Sequence, residues 1–306
     1  MATRIPLVYV VSNGRSGSTL LDLLLGANPE CWSVGELQVL PWELKENRAP
    51  CGCGTPIEEC DFWSPLIEDR SFEDGPAPLH HFRDAHGFGK VLRREHLLAL
   101  FSGKPARRDS KRAVEYADRT AELLARVLPR AEARRGRSVR WMIDASKDPY
   151  RLLWLASSER FDLRVVHLTK DPRAFVHSMT RRLEEQRLGP VLRYSGRWVV
   201  ENALMRTVTE RALAPEQVRR IRYEDLAGDP ETTLGELGEW LGVEDLPASV
   251  RTFREVENHA VSGNEMRWRA GNVRLDERWR REMPAVARRL TDLTTLPVRG
   301  GFGYSR

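Results

Sequence analysis

The chain has 306 residues, 41% of them hydrophobic, with 49 Lys and Arg against 44 Asp and Glu for a net charge of +5. That length and apolar share can bury a large core, in one domain or a domain plus an insertion. No run of about 18 uncharged apolar residues occurs, so no membrane span is expected, and the small basic excess suits anionic ligands without defining one.

The first apolar run, residues 7–11 (LVYVV), reads as a strand. The opening MATRIPLVYVVS lacks a cleavable signal pattern, which makes the cytoplasm the expected compartment. The segment NGRSGSTLLDLLLG follows, and its Leu20, Leu21, Leu23, Leu24 and Leu25 read as a buried helix over 18–26. A strand, a polar turn and a helix in that order cradle anions, because loop amides and the helix N-terminus point at the ligand. The nucleotide-hydrolase form of this loop, G-x-x-x-x-G-K-[ST], is not met. Ser12 replaces its first glycine, Ser18 replaces its lysine, and the cation is Arg15, two residues before Gly17.

Residues 43–110 are rich in Pro, Gly, His and Cys and show little periodicity. They read as an insertion or lid over the site, since loops often carry substrate contacts. Cys51, Cys53 and Cys60 lie in CGCGTPIEECDFW, with Cys31 upstream. The paired C-x-x-C units of a zinc site are missing, so buried thiols or a local disulfide are expected. Trp32, Trp42, Phe62, Trp63, Phe82 and Phe88 form either a platform for a sugar or aryl group or the core of the insertion.

Further on, apolar β-rich runs at 139–143, 163–168 and 218–223 alternate with helical patterns at 149–157, 172–183 and 231–241. A long helix is expected over 191–211, with Trp198, Val199, Leu204 and Met205 inward. Such alternation predicts a single α/β domain over 1–306, with a central parallel sheet flanked by helices. Ligands of parallel sheets gather at the carboxyl ends of the strands. Lys147 in MIDASKDPY, Lys170 with Ser178 and Arg182 in TKDPRAFVHSMTRR, and Tyr223 in IRYEDL all fall there. Asp171 and Pro172 have the form of a helix start. The arginine runs at 130–140 and 278–283 raise nucleic-acid binding, but they mark solvated helix ends or loops, and no nucleic-acid partner is expected.

Taken together, these motifs resemble the sulfotransferases that use 3′-phosphoadenosine 5′-phosphosulfate (PAPS), in the style of the carbohydrate, tyrosylprotein and bacterial branches. In that family P-[KR]-S-G-[ST]-T binds the 5′-phosphosulfate, and NGRSGSTLL is similar to it through Arg15, Ser16, Gly17, Ser18 and Thr19. A strand-end base and a serine eight residues later hold the 3′-phosphate, and Lys170 and Ser178 have that spacing. Lysine stands where the family usually has arginine, and it binds as a point charge rather than a fork. SKDP resembles the segment that supplies a catalytic lysine, here Lys147. RYEDL is similar to the segment that sets a tyrosine, Tyr223, near the adenine, and Arg182 matches a further nucleotide contact. HAVSGNEMRW resembles a late loop that closes over the nucleotide, with Arg267 carried over. The resemblance covers roughly 5–27, 140–240 and 258–283, and is weak over 43–130.

The resemblance implies a P-loop-like fold and sulfuryl transfer from PAPS to a hydroxyl or amine, with PAP (3′-phosphoadenosine 5′-phosphate) as product. The acceptor would be a small molecule, a carbohydrate or a peptide, and no metal is required because the donor has no β,γ-phosphates to bridge. Arg15 and Lys147 would stabilise charge at the leaving phosphate. Glu36, in WSVGELQVL, is the expected base, one residue before the register of the tyrosylprotein branch, which falls on Leu37. The cytosolic branch uses histidine, so His80, His81, His86 and His259 stand as alternatives. A P-loop kinase would share sheet and loop, but the Gly-Lys pair and a metal-binding carboxylate are missing.

Overall fold

A computed structural model describes residues 4–47, 49–69, 75–78, 94–181 and 188–304. Five strands form one parallel sheet: β1 (Ile5–Ser12), β2 (Cys31–Gly35), β3 (Trp141–Lys147), β4 (Phe161–Thr169) and β5 (Val218–Arg222), in the order β2-β3-β1-β4-β5. β1 pairs with β3 on one side and β4 on the other. Its side chains alternate between two cores, Leu7, Tyr9 and Val11 on one face and Val8 and Val10 on the other. A strand covered on both faces must be apolar throughout, which is why LVYVV is a continuous run rather than an alternating one. The chain leaves β1 toward β2 on one side and later crosses from β3 to β4 on the other. The order therefore reverses at the carboxyl end of β1, where a crevice opens.

Helices cover both faces. They are α1 (Ser18–Ala27), α2 (Arg94–Ser102), α3 (Ser110–Arg135), α4 (Pro149–Ala156), α5 (Pro172–Thr180), α6 (Leu188–Ala212), α7 (Pro230–Leu241) and α8 (Ala285–Arg299). α4 and α5 start as their sequences indicate. The Asp148 carboxylate accepts from the Tyr150 amide at 2.9 Å and Asp171 from the Arg173 amide at 2.7 Å, each with Pro at the first helical position. None of the described helices is long and apolar enough to cross a membrane.

Two elements depart from the sequence reading. β2 is five residues, CWSVG, too short for its periodicity to stand out, yet every position is buried. α3 buries Ala113, Ala117, Thr120, Ala121, Leu123, Leu124, Val127 and Ala131, a face half made of alanine that apolar counting passes over. The arginine run at 130–135 forms its last turns and braces neighbours. Arg130 donates to the Asp61 carbonyl, Arg134 pairs with Asp61 and Glu257, and Arg135 donates to the Gly26 carbonyl. Of the aromatic set, Trp32, Phe62 and Trp63 are core, while Trp42 is 37% exposed. Phe82 and Phe88 lie outside the described residues.

Candidate active site

At the end of β1 the backbone turns through two left-handed residues, Arg15 at φ 71° and Gly17 at φ 92°. Glycine is required at 17 for a second reason: a Cβ there would sit 2.5 Å from Cδ2 of Tyr223. A non-glycine residue in this region is strained and persists only where its surroundings enforce it. Lys147, also at φ 71° at the end of β3, is a second case. Both strained cations face one cleft of about 460 Å³.

That cleft gathers most of the residues singled out from sequence. Arg15, Gly17, Ser18, Thr19, Glu36, Lys147, Lys170, Ser178 and Tyr223 all line it. Glu36 and Lys147 form an ion pair whose side chains are only 15% and 11% exposed. Local backbone bonds hold the pair in place. The Glu36 amide donates to the Val261 carbonyl at 2.8 Å, and the Gln38 amide donates to Ser146 Oγ at 3.1 Å, just before Lys147. Lys170 Nζ lies 4.2 Å from the centroid of the Tyr223 ring, which also packs against Gly17. The Tyr223 hydroxyl accepts the Asp276 amide at 3.2 Å and so ties down the segment that roofs the cleft.

Burial pushes the Lys170 ammonium down; Asp276 and Glu224 oppose this, while Arg15 and Arg181 add to it. Among the described residues, six cationic ones (Arg15, Lys147, Lys170, Arg181, Arg254, Arg274) and two carboxylates, Glu36 and Asp276, line the cleft. Such an excess of fixed positive charge in a concave site attracts and orients an anion.

Other residues singled out from sequence lie apart from the cleft or outside the described residues. Ser16 is fully buried, its hydroxyl without a hydrogen-bond partner, so its side chain does not line the cleft. Arg267 also lies outside it: its guanidinium donates to the backbone carbonyls of Pro50 at 2.7 Å, Ala260 at 3.2 Å and Ser262. It stitches the late loop to the insertion, beside a small cavity that it lines with Ser18, Thr19 and Glu36. Arg182 falls outside the described residues, as do His80, His81 and His86. His259 is buried against Phe62, ring centroids 4.9 Å apart, and does not line the cleft. Sequence reasoning missed Arg181, which follows Ser178 by three residues and shares its helix face. It also missed Arg254, Arg274 and Asp276, which sit in loops without periodic signal. The late loop does close over the site: Gly263, Asn264 and Met266 line the cleft, and the Asn264 amide donates to Thr19 Oγ1 at 3.2 Å.

Behind the cleft, Asp22 of α1 is fully buried and accepts from the Ser33 hydroxyl at 2.6 Å. Burial pushes its carboxyl up to about 7; the Ser33 bond opposes this, and the nearby Glu36 and Asp144 add to it. The folded state therefore keeps a proton that the unfolded chain loses near its ordinary 3.8, and stability falls as pH rises from about 4 through 7. Asp22→Asn removes that loss. Denaturant titrations should find the variant more stable than wild type at pH 8, by up to about 4 kcal/mol, with the advantage shrinking toward pH 4. A difference that is constant across that range would mean Asp22 stays ionised in the fold.

Fold and cleft together define a P-loop-like α/β protein built to hold an anion beside a carboxylate–lysine pair. A sequence profile described as the sulfotransferase family matches residues 6–247, and the chain belongs to that family. Carbohydrate sulfotransferase 5 of Mus musculus is 30% identical over 164 residues, 45% of this chain and 41% of the relative. The chain thus spans less than half the length of that protein. In three dimensions it is similar to the sulfotransferase domain of the Synechococcus PCC 7002 olefin synthase (TM-score 0.56, 19% identity, 100% of this chain and 98% of the other). It is also similar to the sulfotransferase domain from the curacin biosynthetic pathway (TM-score 0.55, 18% identity, 97% and 99%).

Proposed function

We propose that this sulfotransferase-family chain transfers a sulfuryl group from PAPS to a hydroxyl, or an amine, of a small-molecule, carbohydrate or peptide acceptor. The observation that carries the reading is the meeting of two cationic clusters at one aromatic ring. The Arg15–Thr19 turn meets the Tyr223 ring at Gly17, and Lys170, which lines the same cleft as Ser178 and Arg181, lies over that ring. A ligand with a phosphosulfate at one end and a 3′-phosphate at the other matches both.

In this reading the turn amides, Arg15 and the Ser18 and Thr19 hydroxyls hold the phosphosulfate, and Lys170, Ser178 and Arg181 hold the 3′-phosphate. The acceptor oxygen attacks sulfur in line, the bond from sulfur to the bridging oxygen breaks, and the acceptor proton passes to Glu36. PAP and a sulfate ester leave. Negative charge grows on the bridging oxygen, where Lys147 and Arg15 stabilise the transition state more than the ground state.

Residues 43–110 are proposed to cover the acceptor side. Support comes from a cavity of about 120 Å³ lined by Leu37 and Gln38, next to Glu36 in the chain, and by residues 75–78 of the insertion. The proposed compartment is the cytoplasm, whose reducing poise suits four free cysteines.

Thermal shift tests the donor. PAP without Mg²⁺ should raise the melting temperature, as about 2.7 kcal/mol of stabilisation follows from a hundredfold excess over Kd. AMP should do much less, because it leaves Lys170 and Ser178 without a phosphate. Lys170→Ala should lose roughly 1.5–3 kcal/mol of PAP binding, the scale of a charged hydrogen bond, and Lys170→Arg should keep it. Equal shifts from AMP and PAP would remove the 3′-phosphate assignment, and a shift only with ATP and Mg²⁺ would point to phosphoryl transfer.

A further inference from the structure

The cysteines of the 51–60 segment are unpaired, Cys51 and Cys60 buried at the edge of the core beside Phe62 and Trp63 and Cys53 exposed. Cys60 Sγ stands 3.6 Å from Cys51 Sγ and 3.7 Å from Cys53 Sγ. Both separations are well beyond a disulfide's ~2.05 Å. Some two hundred residues later in the chain, His259 brings Nδ1 to 3.2 Å from Cys60 Sγ and 3.7 Å from Cys51 Sγ. All four ligand atoms lie within 4.8 Å of one another.

We propose that Cys51, Cys53, Cys60 and His259 bind one structural zinc ion. A tetrahedral centre with Zn–S near 2.3 Å and Zn–N near 2.1 Å sets its sulfurs about 3.7–3.8 Å apart and its sulfur and nitrogen about 3.6 Å apart. The two contacts of Cys60 with the other sulfurs and the two of His259 Nδ1 with Cys51 and Cys60 run from 3.2 to 3.7 Å, and all four atoms lie within 4.8 Å of one another. Three thiolates and one imidazole are soft donors that select zinc among the common divalent ions. Four protein ligands leave no open position, so the site is structural rather than catalytic.

The surroundings are built around the cluster. The Cys51 amide donates to the Thr55 carbonyl at 2.8 Å and the Gly54 amide to the Cys51 carbonyl at 2.9 Å, folding C-G-C-G into a tight knuckle. A Cβ at Gly52 would sit 2.5 Å from Asn258 Oδ1, so glycine lets the knuckle press against the histidine strand. His259 Nε2 lies 2.8 Å from Glu257 Oε1, the carboxylate–histidine arrangement that orients a metal ligand. Trp63 Nε1 donates to the His259 carbonyl at 2.6 Å, and Phe62 stacks on the imidazole. One zinc with three thiolates carries a net negative charge, and Arg134, paired with Glu257 and Asp61, stands beside it. The C-x-C spacing alone argued against a metal because the fourth ligand lies in a distant loop.

The site's position gives it a task. His259 precedes Val261, which pairs with β2 and accepts the Glu36 amide, and Gly263 and Asn264, which line the cleft. A metal at the knuckle therefore locks the late loop to the insertion at its foot.

Elemental analysis of the tag-free full chain, purified without chelator, tests this. About one zinc per chain is expected, and near zero in Cys60→Ser. Cys53 is exposed at the edge of the knuckle, so Cys53→Ser should fold even if Cys60→Ser does not, and should release its zinc to a colorimetric chelator at least tenfold more readily than wild type. Cobalt-loaded wild type should show the visible bands of tetrahedral Co²⁺ together with thiolate charge transfer. A wild-type chain that is folded yet metal-free and gains no such spectrum with Co²⁺ overturns the proposal. So does a Cys51–Cys60 disulfide found by peptide mapping, or Cys53→Ser retaining zinc as tightly as wild type.

Discussion

Glu36→Gln should lower turnover by about 10²–10⁴, the range over which general base catalysis acts, while PAP binding survives. Glutamine keeps the shape of the side chain and can still meet the Lys147 ammonium through its carbonyl oxygen, but it cannot take a proton. The donor contacts at Arg15–Thr19 and Lys170–Arg181 are separate residues and stay intact. An acceptor of lower pKa, such as an acidic phenol, needs less help in losing its proton and should partly rescue the variant. Initial rates over a series of phenols, with PAP affinity as control, measure this. Near-normal turnover of Glu36→Gln with an aliphatic alcohol would move the base elsewhere, and His80, His81 and His86 would then be tested first.

The parts of this site that the sequence displays are those held in contiguous motifs. The strand-turn-helix at 5–27 carries its own apolar run, its glycine and its buried leucines, and it folds as read. Lys170 and Ser178 are joined by one helix whose start, Asp171-Pro172, is local chemistry. What could not be read comes from contacts between distant segments. Glu36 meets Lys147 because β2 pairs with β3, and β2 itself is five residues with no legible period. Arg267 looked like a ligand contact in a loop of the right kind, and only the folded chain shows three carbonyls closing around it. Tyr223 was legible as a cleft residue, but not its role as the wall that makes Gly17 obligatory. α3 was hidden because half of its buried face is alanine, whose apolar signal is weak although its helix propensity is the best.

Lys147→Ala should also slow turnover, by about 10²–10³, the usual effect of removing one donor aimed at developing negative charge. The cause differs from that at Glu36, and so should the response to the acceptor. The lost interaction is with the leaving phosphate, so an acidic phenol should give no rescue. Lys147 holds a left-handed backbone at φ 71°, a strain that alanine shares, so the backbone contribution is unchanged between the two. The ion pair adds a further consequence. In the proposed reaction Lys147 leaves its ion pair with Glu36 for the leaving oxygen, which frees the carboxylate to face the acceptor. The two side chains then act as a unit, and residues acting as a unit are non-additive. The double variant Glu36→Gln with Lys147→Ala should be about as slow as the slower single variant, rather than the product of the two losses. Strictly multiplicative losses would show that the two side chains act independently rather than as a unit, and rescue of Lys147→Ala by acidic phenols would show that Lys147 serves Glu36 rather than the departing phosphate.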